Sequence, residues 1–205
     1  MRFFTTALSL AAIGLMTATW SARAEDATGG DQPFGIGFAT AGMKLEDLRT
    51  GGQLPEGRRI LCDSDADNGL NQGDREVLRV TDAQAAAGLS RCALYAKDEA
   101  GTWINRSVGL AGQPAQFYIL TLDDNGTRRI LQLQLYQDNA AFESTTAQLT
   151  KDWGKPVRSD GTAIQWRNSV SDATIARKND GFYLYISDRA LQRAMRQKLG
   201  LPTQD

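Results

Sequence analysis

The chain predicts an α+β fold, an antiparallel meander sheet with helices packed on one face, and three observations predict it. Asn125-Gly126 and Asp180-Gly181 each separate two runs of strand character, and these residue types accept the positive φ that a tight hairpin turn demands. Two apolar stripes at helical spacing, Phe142, Thr146, Leu149 and Trp153, then Leu191, Met195 and Leu199, accompany those hairpins. Strands joined by hairpins rather than crossovers pair antiparallel, and the intervening helices cover the sheet.

Residues 1–24 have the three-part layout of a secretory signal peptide. Arg2 supplies the basic start, 3–20 is mostly apolar, and Ala22-Arg23-Ala24 forms a small-x-small site before Glu25. A signal anchor kept in the membrane is the alternative, weakened by the Thr and Ser scattered through the run. Cleavage at Ala24-Glu25 sends the protein to the periplasm or beyond, with no stable membrane insertion afterwards. No Cys follows that site, which removes lipid attachment there. Residues 25–33 read as a flexible polar tail. Residues 34–205 read as a single compact domain or as two lobes, 34–136 and 137–205.

Within that domain a short helix is expected over 42–49, with Met43, Leu45 and Leu48 on one side and Gly51-Gly52 ending it. A strand follows over 59–62. Asp, Asn and Gly make 63–74 a loop, with a brief strand over 77–80 and a helical segment over 83–87. Strands are expected over 89–96 and 103–110. In the hairpin over 116–136, pairing Asp124 with Thr127 sets Leu122, Leu120 and Tyr118 against Arg129, Leu131 and Leu133 on one face. Asp138 or Asn139 caps the helix to Trp153. A strand over 163–167 and a hairpin with arms 174–178 and 182–186 complete the sheet, and Asp188 caps the last helix.

Composition excludes more chemistry than it suggests. The chain contains no His, which removes Ser-His-Asp and Cys-His hydrolysis, His-bound zinc and imidazole acid–base catalysis. Cleavage takes Arg2 and Arg23 from the 23 basic residues and nothing from the 24 acidic ones, leaving a net charge of −3. No run of Lys and Arg is dense enough to neutralise a nucleic acid backbone. Cys62 and Cys92 form an even pair, most simply a disulfide in an exported protein, with two buried free thiols as the alternative. Closing that loop contributes about 3–4 kcal/mol on the chain-entropy account.

Asp63, Asp65, Asp67, Asn71 and Asp74 stand at the ligand spacing of an oxygen-ligated calcium loop. The required Gly is displaced, with Asn68 in its place and Gly69 following, and Asp74 stands where a bidentate Glu belongs. The expectation is therefore no metal and no cofactor, with a solvated loop neutralised by Arg58, Arg59 and Arg75. The same stretch, 63–76, offers carboxylates including Glu76 for a hydrolase, the alternative function. Both would sit on one Gly-containing loop, which is poor preorganisation for catalysis.

In 182–186 the residues alternate, so Tyr183 and Tyr185 share one face with Ala176, and Leu184 and Ile186 share the other with Ile175. A sheet covered on one side cannot bury both equally. Tyr183 and Tyr185 are therefore the candidate partner surface, since Tyr is enriched at interface cores; a covering helix is the alternative.

Gly42-Met43-x-Leu45-x-x-Leu48, and later Leu149-x-x-x-Trp153-Gly154-Lys155-Pro156 followed by Trp166, resemble pieces of BamE-like and beta-lactamase-inhibitor-protein-like bacterial envelope proteins. The resemblance implies two helix-plus-meander units in tandem and a protein-binding role, with no catalytic residues to carry over. The expected function is that of a soluble, exported, non-catalytic module that binds an envelope or periplasmic macromolecule.

Overall fold

The computed structural model describes residues 32–66 and 69–202. The expected signal peptide, most of the tail and Asp67 lie outside the described residues. A two-stranded hairpin comes first, β1 (Gly35–Ile36) and β2 (Ala39–Thr40), then α1 (Leu45–Thr50) and β3 (Arg58–Cys62). Next are α2 (Gln72–Leu78), α3 (Asp82–Ala86), β4 (Leu89–Lys97), β5 (Trp103–Asn105), β6 (Val108–Leu110), β7 (Gln113–Asp124) and β8 (Thr127–Asp138). The chain closes with α4 (Phe142–Trp153), β9 (Arg158–Ser159), β10 (Ala163–Arg167), β11 (Ser171–Arg177), β12 (Gly181–Asp188) and α5 (Arg189–Lys198). Among the described residues, no helix is long and apolar enough to cross a membrane.

All pairing is antiparallel. One sheet runs β3-β4-β7-β8-β12-β11-β10-β9, with β5 added to β4 and β6 to β7. Each half is a helix followed by a meander, and the halves meet at their last long strands, β8 and β12, in one continuous sheet. The α+β antiparallel expectation is met.

The helices do not share one face. Leu45 and Leu48 of α1 and Leu149 of α4 join Ile60, Phe117, Ile119, Leu133, Leu135, Leu184 and Trp166 in the main core. On the opposite face Leu78 of α2 packs on Ala93 and Tyr95, and Leu191 of α5 packs on Leu89, Leu122 and Leu131. The sheet is thus fully covered on one side and only partly on the other.

The turn at Asn125 opens the β7–β8 hairpin as expected, with Asp124 opposite Thr127 and Leu122 opposite Arg129. Beyond Thr121–Ile130 the expected register fails. Leu120 pairs with Gln132, Ile119 with Leu133 and Tyr118 with Gln134, because Leu131 is an extra residue in a β-bulge. The cause is the adjacent apolar pair Ile130-Leu131 in front of Gln132-Leu133-Gln134-Leu135. A continuous ladder would set Gln132 and Gln134 beside Ile119 and Phe117 in the core. The bulge costs one unpaired residue and places Leu133 and Leu135 there instead.

Smaller differences have local causes. The expected strand over 77–80 gives way to α2, because Asn71 caps that helix by accepting the Asp74 N–H at 2.9 Å. The strand over 103–110 is divided into β5, paired with β4, and β6, paired with β7. Neither Asp138 nor Asn139 caps α4; a 3-10 turn over Asn139–Ala141 precedes it. Asp188 does cap α5, accepting the Leu191 N–H at 2.8 Å.

Two buried polar residues, Gln137 of β8 and Ser171 of β11, tie the halves together. Buried Gln137 donates to the Leu110 carbonyl at 3.1 Å, and Thr145 Oγ1 of α4 donates to its Oε1 at 2.8 Å. At the N-terminus the Phe34 N–H donates to Ser171 Oγ at 3.1 Å, while Phe34 stacks on Trp153 and Phe38 packs edge-on to Phe117.

Candidate functional site

Between α2 and α5 the second face of the sheet stays open, and its side chains are dictated by strand alternation. Tyr118 of β7, Gln134 and Tyr136 of β8, and Tyr183 and Tyr185 of β12 all point there. Tyr183 stands opposite Tyr136, and Tyr185 opposite Gln134. Ring centroids are 5.1 Å apart for Tyr136–Tyr183 and 5.8 Å for the nearly parallel Tyr183–Tyr185 pair. All four tyrosines are half-buried. Sequence reading found Tyr183 and Tyr185 on this face. Tyr118 shares this face with Leu120 and Leu122, as the alternation of β7 predicts; the bulge at Leu131 instead moves Leu133 and Leu135 from that face to the main core.

The tyrosines shape two adjoining depressions that share Tyr185. One, of about 290 Å³, lies between Val77 of α2, Arg91 and the four tyrosines. The other, of about 830 Å³, continues over Gln132, Gln165 and Thr174 to the arginines of α5. Gln134 donates to Gln132 at 2.6 Å and Gln132 to Ser187 at 2.9 Å, so the amides crossing the floor form a connected chain. The spacing of Arg189, Arg193 and Arg196 at i, i+4 and i+7 is the sequence signal that could have found this wall.

Burial pushes the Tyr118 hydroxyl above its ordinary range, Asp74 and Tyr183 adding to the effect and Arg91 opposing it. Burial likewise raises Tyr185, with Tyr183 next to it. These hydroxyls stay protonated at neutral pH, where they serve as donors and acceptors. Val77 is 51% exposed at the rim of the smaller depression.

The acidic loop has other work. Asp63 accepts from Ser90 Oγ and from the Arg91 N–H. Asp65 accepts from Arg49 at 2.5 Å and from the Cys62 N–H at 2.9 Å, with Arg128 at 3.8 Å. Asn71 and Asp74 bond each other at the start of α2, and exposed Glu76 lies 3.9 Å from Arg79. Among the described residues, no group of three or more acidic or cysteine side chains gathers where it could hold a metal ion.

Cys62 and Cys92 are bonded to each other, as direct cross-strand partners on β3 and β4. Both are fully buried. No family model matches this chain, and neither a curated protein nor a solved structure matches it.

Proposed function

We propose that this protein is an exported, non-catalytic module that binds another macromolecule through the tyrosine face of its sheet. One observation carries the reading: a contiguous set of four half-buried tyrosines lies on the part of the sheet that α2 and α5 leave open. Tyr offers a large contact area with few rotors and a polar edge, which is why it recurs at the energetic centres of interfaces. The resemblance to BamE-like and beta-lactamase-inhibitor-protein-like proteins supports the same role. The absence of His supports a function without acid–base chemistry.

The test is a photo-crosslinking side chain placed at position 183 in the producing cell, followed by mass spectrometry. The expected result is a discrete adduct, lost in Tyr185→Ser and absent when the same group stands at Ala100, in the turn between β4 and β5. Identical adducts from both positions would remove the tyrosine face from consideration.

A further inference from the structure

We propose that the larger depression, walled by α5, binds an acidic polypeptide segment through its carboxylates. The proposal rests on the tyrosine face being a binding surface and adds the chemistry of what lies beside it.

The charge is the first argument. The groove presents Arg167, Arg189, Arg193 and Arg196 against a single acidic group, Asp172, while the whole chain carries a formal net charge of −1. A positive concavity on a weakly negative protein selects for anionic partners and orients their approach. Asp172 engages two of the arginines, at 2.5 Å from Arg167 Nε and 3.6 Å from Arg189 Nε, and so fixes their position. The other two are available. Arg193 is exposed and has no hydrogen-bonding or ionic partner among the described residues. Arg196 donates only its Nε, to the Pro202 carbonyl at 2.6 Å, which leaves the far side of its guanidinium uncommitted.

The residue types narrow the ligand. Every cation in the groove is Arg and none is Lys. A planar fork with paired N–H groups matches a carboxylate in a way a point charge does not. On the floor, the Gln165 amide and the Thr174 hydroxyl have no side-chain partner among the described residues, and both can donate and accept. That pairing suits peptide groups, which also present one donor and one acceptor each. Four Arg, with Trp166, Tyr185 and Met195 and without Lys or Glu, follow the enrichment of Arg, aromatic residues and Met in protein interfaces. A volume of about 830 Å³ holds a short segment rather than an isolated ion.

The full chain is titrated with a fluorescein-labelled polyglutamate peptide, followed by anisotropy, beside polylysine and alginate as probes of opposite charge and of carbohydrate carboxylates. Polyglutamate should bind, more tightly at low salt than at physiological salt. Arg193→Glu with Arg196→Glu should weaken binding about tenfold or more, and the milder Arg193→Gln with Arg196→Gln should weaken it less, in the same direction. Lys151→Glu with Lys155→Glu, an equal charge change elsewhere, should leave it nearly unchanged. No binding of polyglutamate, equal binding after the arginine reversal, or preference for alginate would each overturn the proposal. Loss of the position-183 adduct in Tyr185→Ser, together with polyglutamate binding indifferent to the arginine variants, would keep the tyrosine reading and remove this one. The reverse pattern would remove the tyrosine reading alone.

Discussion

Tyr183 of β12 stands directly opposite Tyr136 of β8, their rings 5.1 Å apart and tilted by 50°. The next residue along, Leu184, stands opposite Leu135 and is wholly buried on the other face. One strand thus divides its work, apolar packing on one side and a polar-edged aromatic surface on the other.

That division sets the first prediction. Leu184→Ala leaves a cavity in the main core and should cost about 2–5 kcal/mol. Tyr183→Phe keeps the ring contacts, and Tyr183 Oη makes no hydrogen bond among the described residues, so stability should change by less than about 0.5 kcal/mol. Denaturant unfolding of both variants checks this. Losses of similar size would mean that the tyrosine face is part of the core.

The bulge gives the second. Leu131 is the extra residue on β8, and its side chain packs with Leu191 of α5. Leu131→Ala should fold with a loss of about 2–5 kcal/mol. Deleting Leu131 removes the bulge itself: Thr121–Ile130 and Leu120–Gln132 become consecutive pairs, so Ile130, Leu133 and Leu135 keep the core face and the contact of Leu131 with Leu191 is what is lost. The deletion should therefore still give a cooperative melt by circular dichroism, with a loss comparable to that of Leu131→Ala. A deletion that does not fold cooperatively would show that the bend made by the bulge, and not only the register, is needed for the sheet.

These two cases mark what was legible in the chain. Turn residues act locally, so Asn125-Gly126 and the Asp188 cap could be read directly, as could the alternation that separates Tyr183 from Leu184. The bulge was less accessible, since Ile130-Leu131 leaves the choice between a slipped register and an extra residue to packing against β7 and β12. For α2 the Gly73 in its first turn masked a helix that the Asn71 cap secures. The arginine wall needed a fact that no local pattern supplies: which side of α5 faces the open half of the sheet.

The disulfide gives the third prediction. Cys62 and Cys92 are 0% exposed, and Arg49 Nη2 lies 3.2 Å from the Cys62 sulfur. The native protein should resist mild reductant and show no alkylation without denaturant. Cys62→Ala with Cys92→Ala should lose about 3–4 kcal/mol, from freeing a loop whose ends are 30 residues apart. Equal melting temperatures for variant and parent would contradict this.

The fourth concerns alkaline pH. Tyr95 is pushed well above its ordinary value of 10.0, first by burial and then by the nearby Asp74 carboxylate. The folded state therefore keeps a proton that the unfolded state releases. Its contribution is complete below about pH 10 and declines as the pH climbs toward the folded-state value. Tyr118 and Tyr185 are raised in the same direction. The melting temperature should fall between about pH 9 and 11.5, with tyrosinate absorbance appearing only on unfolding for the buried ring. Tyr95→Phe should make the decline shallower, and an unchanged slope would remove Tyr95 as its source.

The bond from the Phe34 N–H to Ser171 Oγ joins residues 137 positions apart. Ser171 opens β11, so the acceptor takes its place only once the second meander has paired. Closing so long a loop carries a large entropic cost that only late contacts repay, and chains rich in such contacts fold slowly. Until then Phe34, unlike Phe38 with its seat on Phe117 of the first meander, lacks this anchor, and the surface of Trp153 that it finally covers remains open to water. The first described residues of the chain thus depend on its second half, and β11 must pair with β12, setting Ser171 opposite Asp188, before that anchor exists.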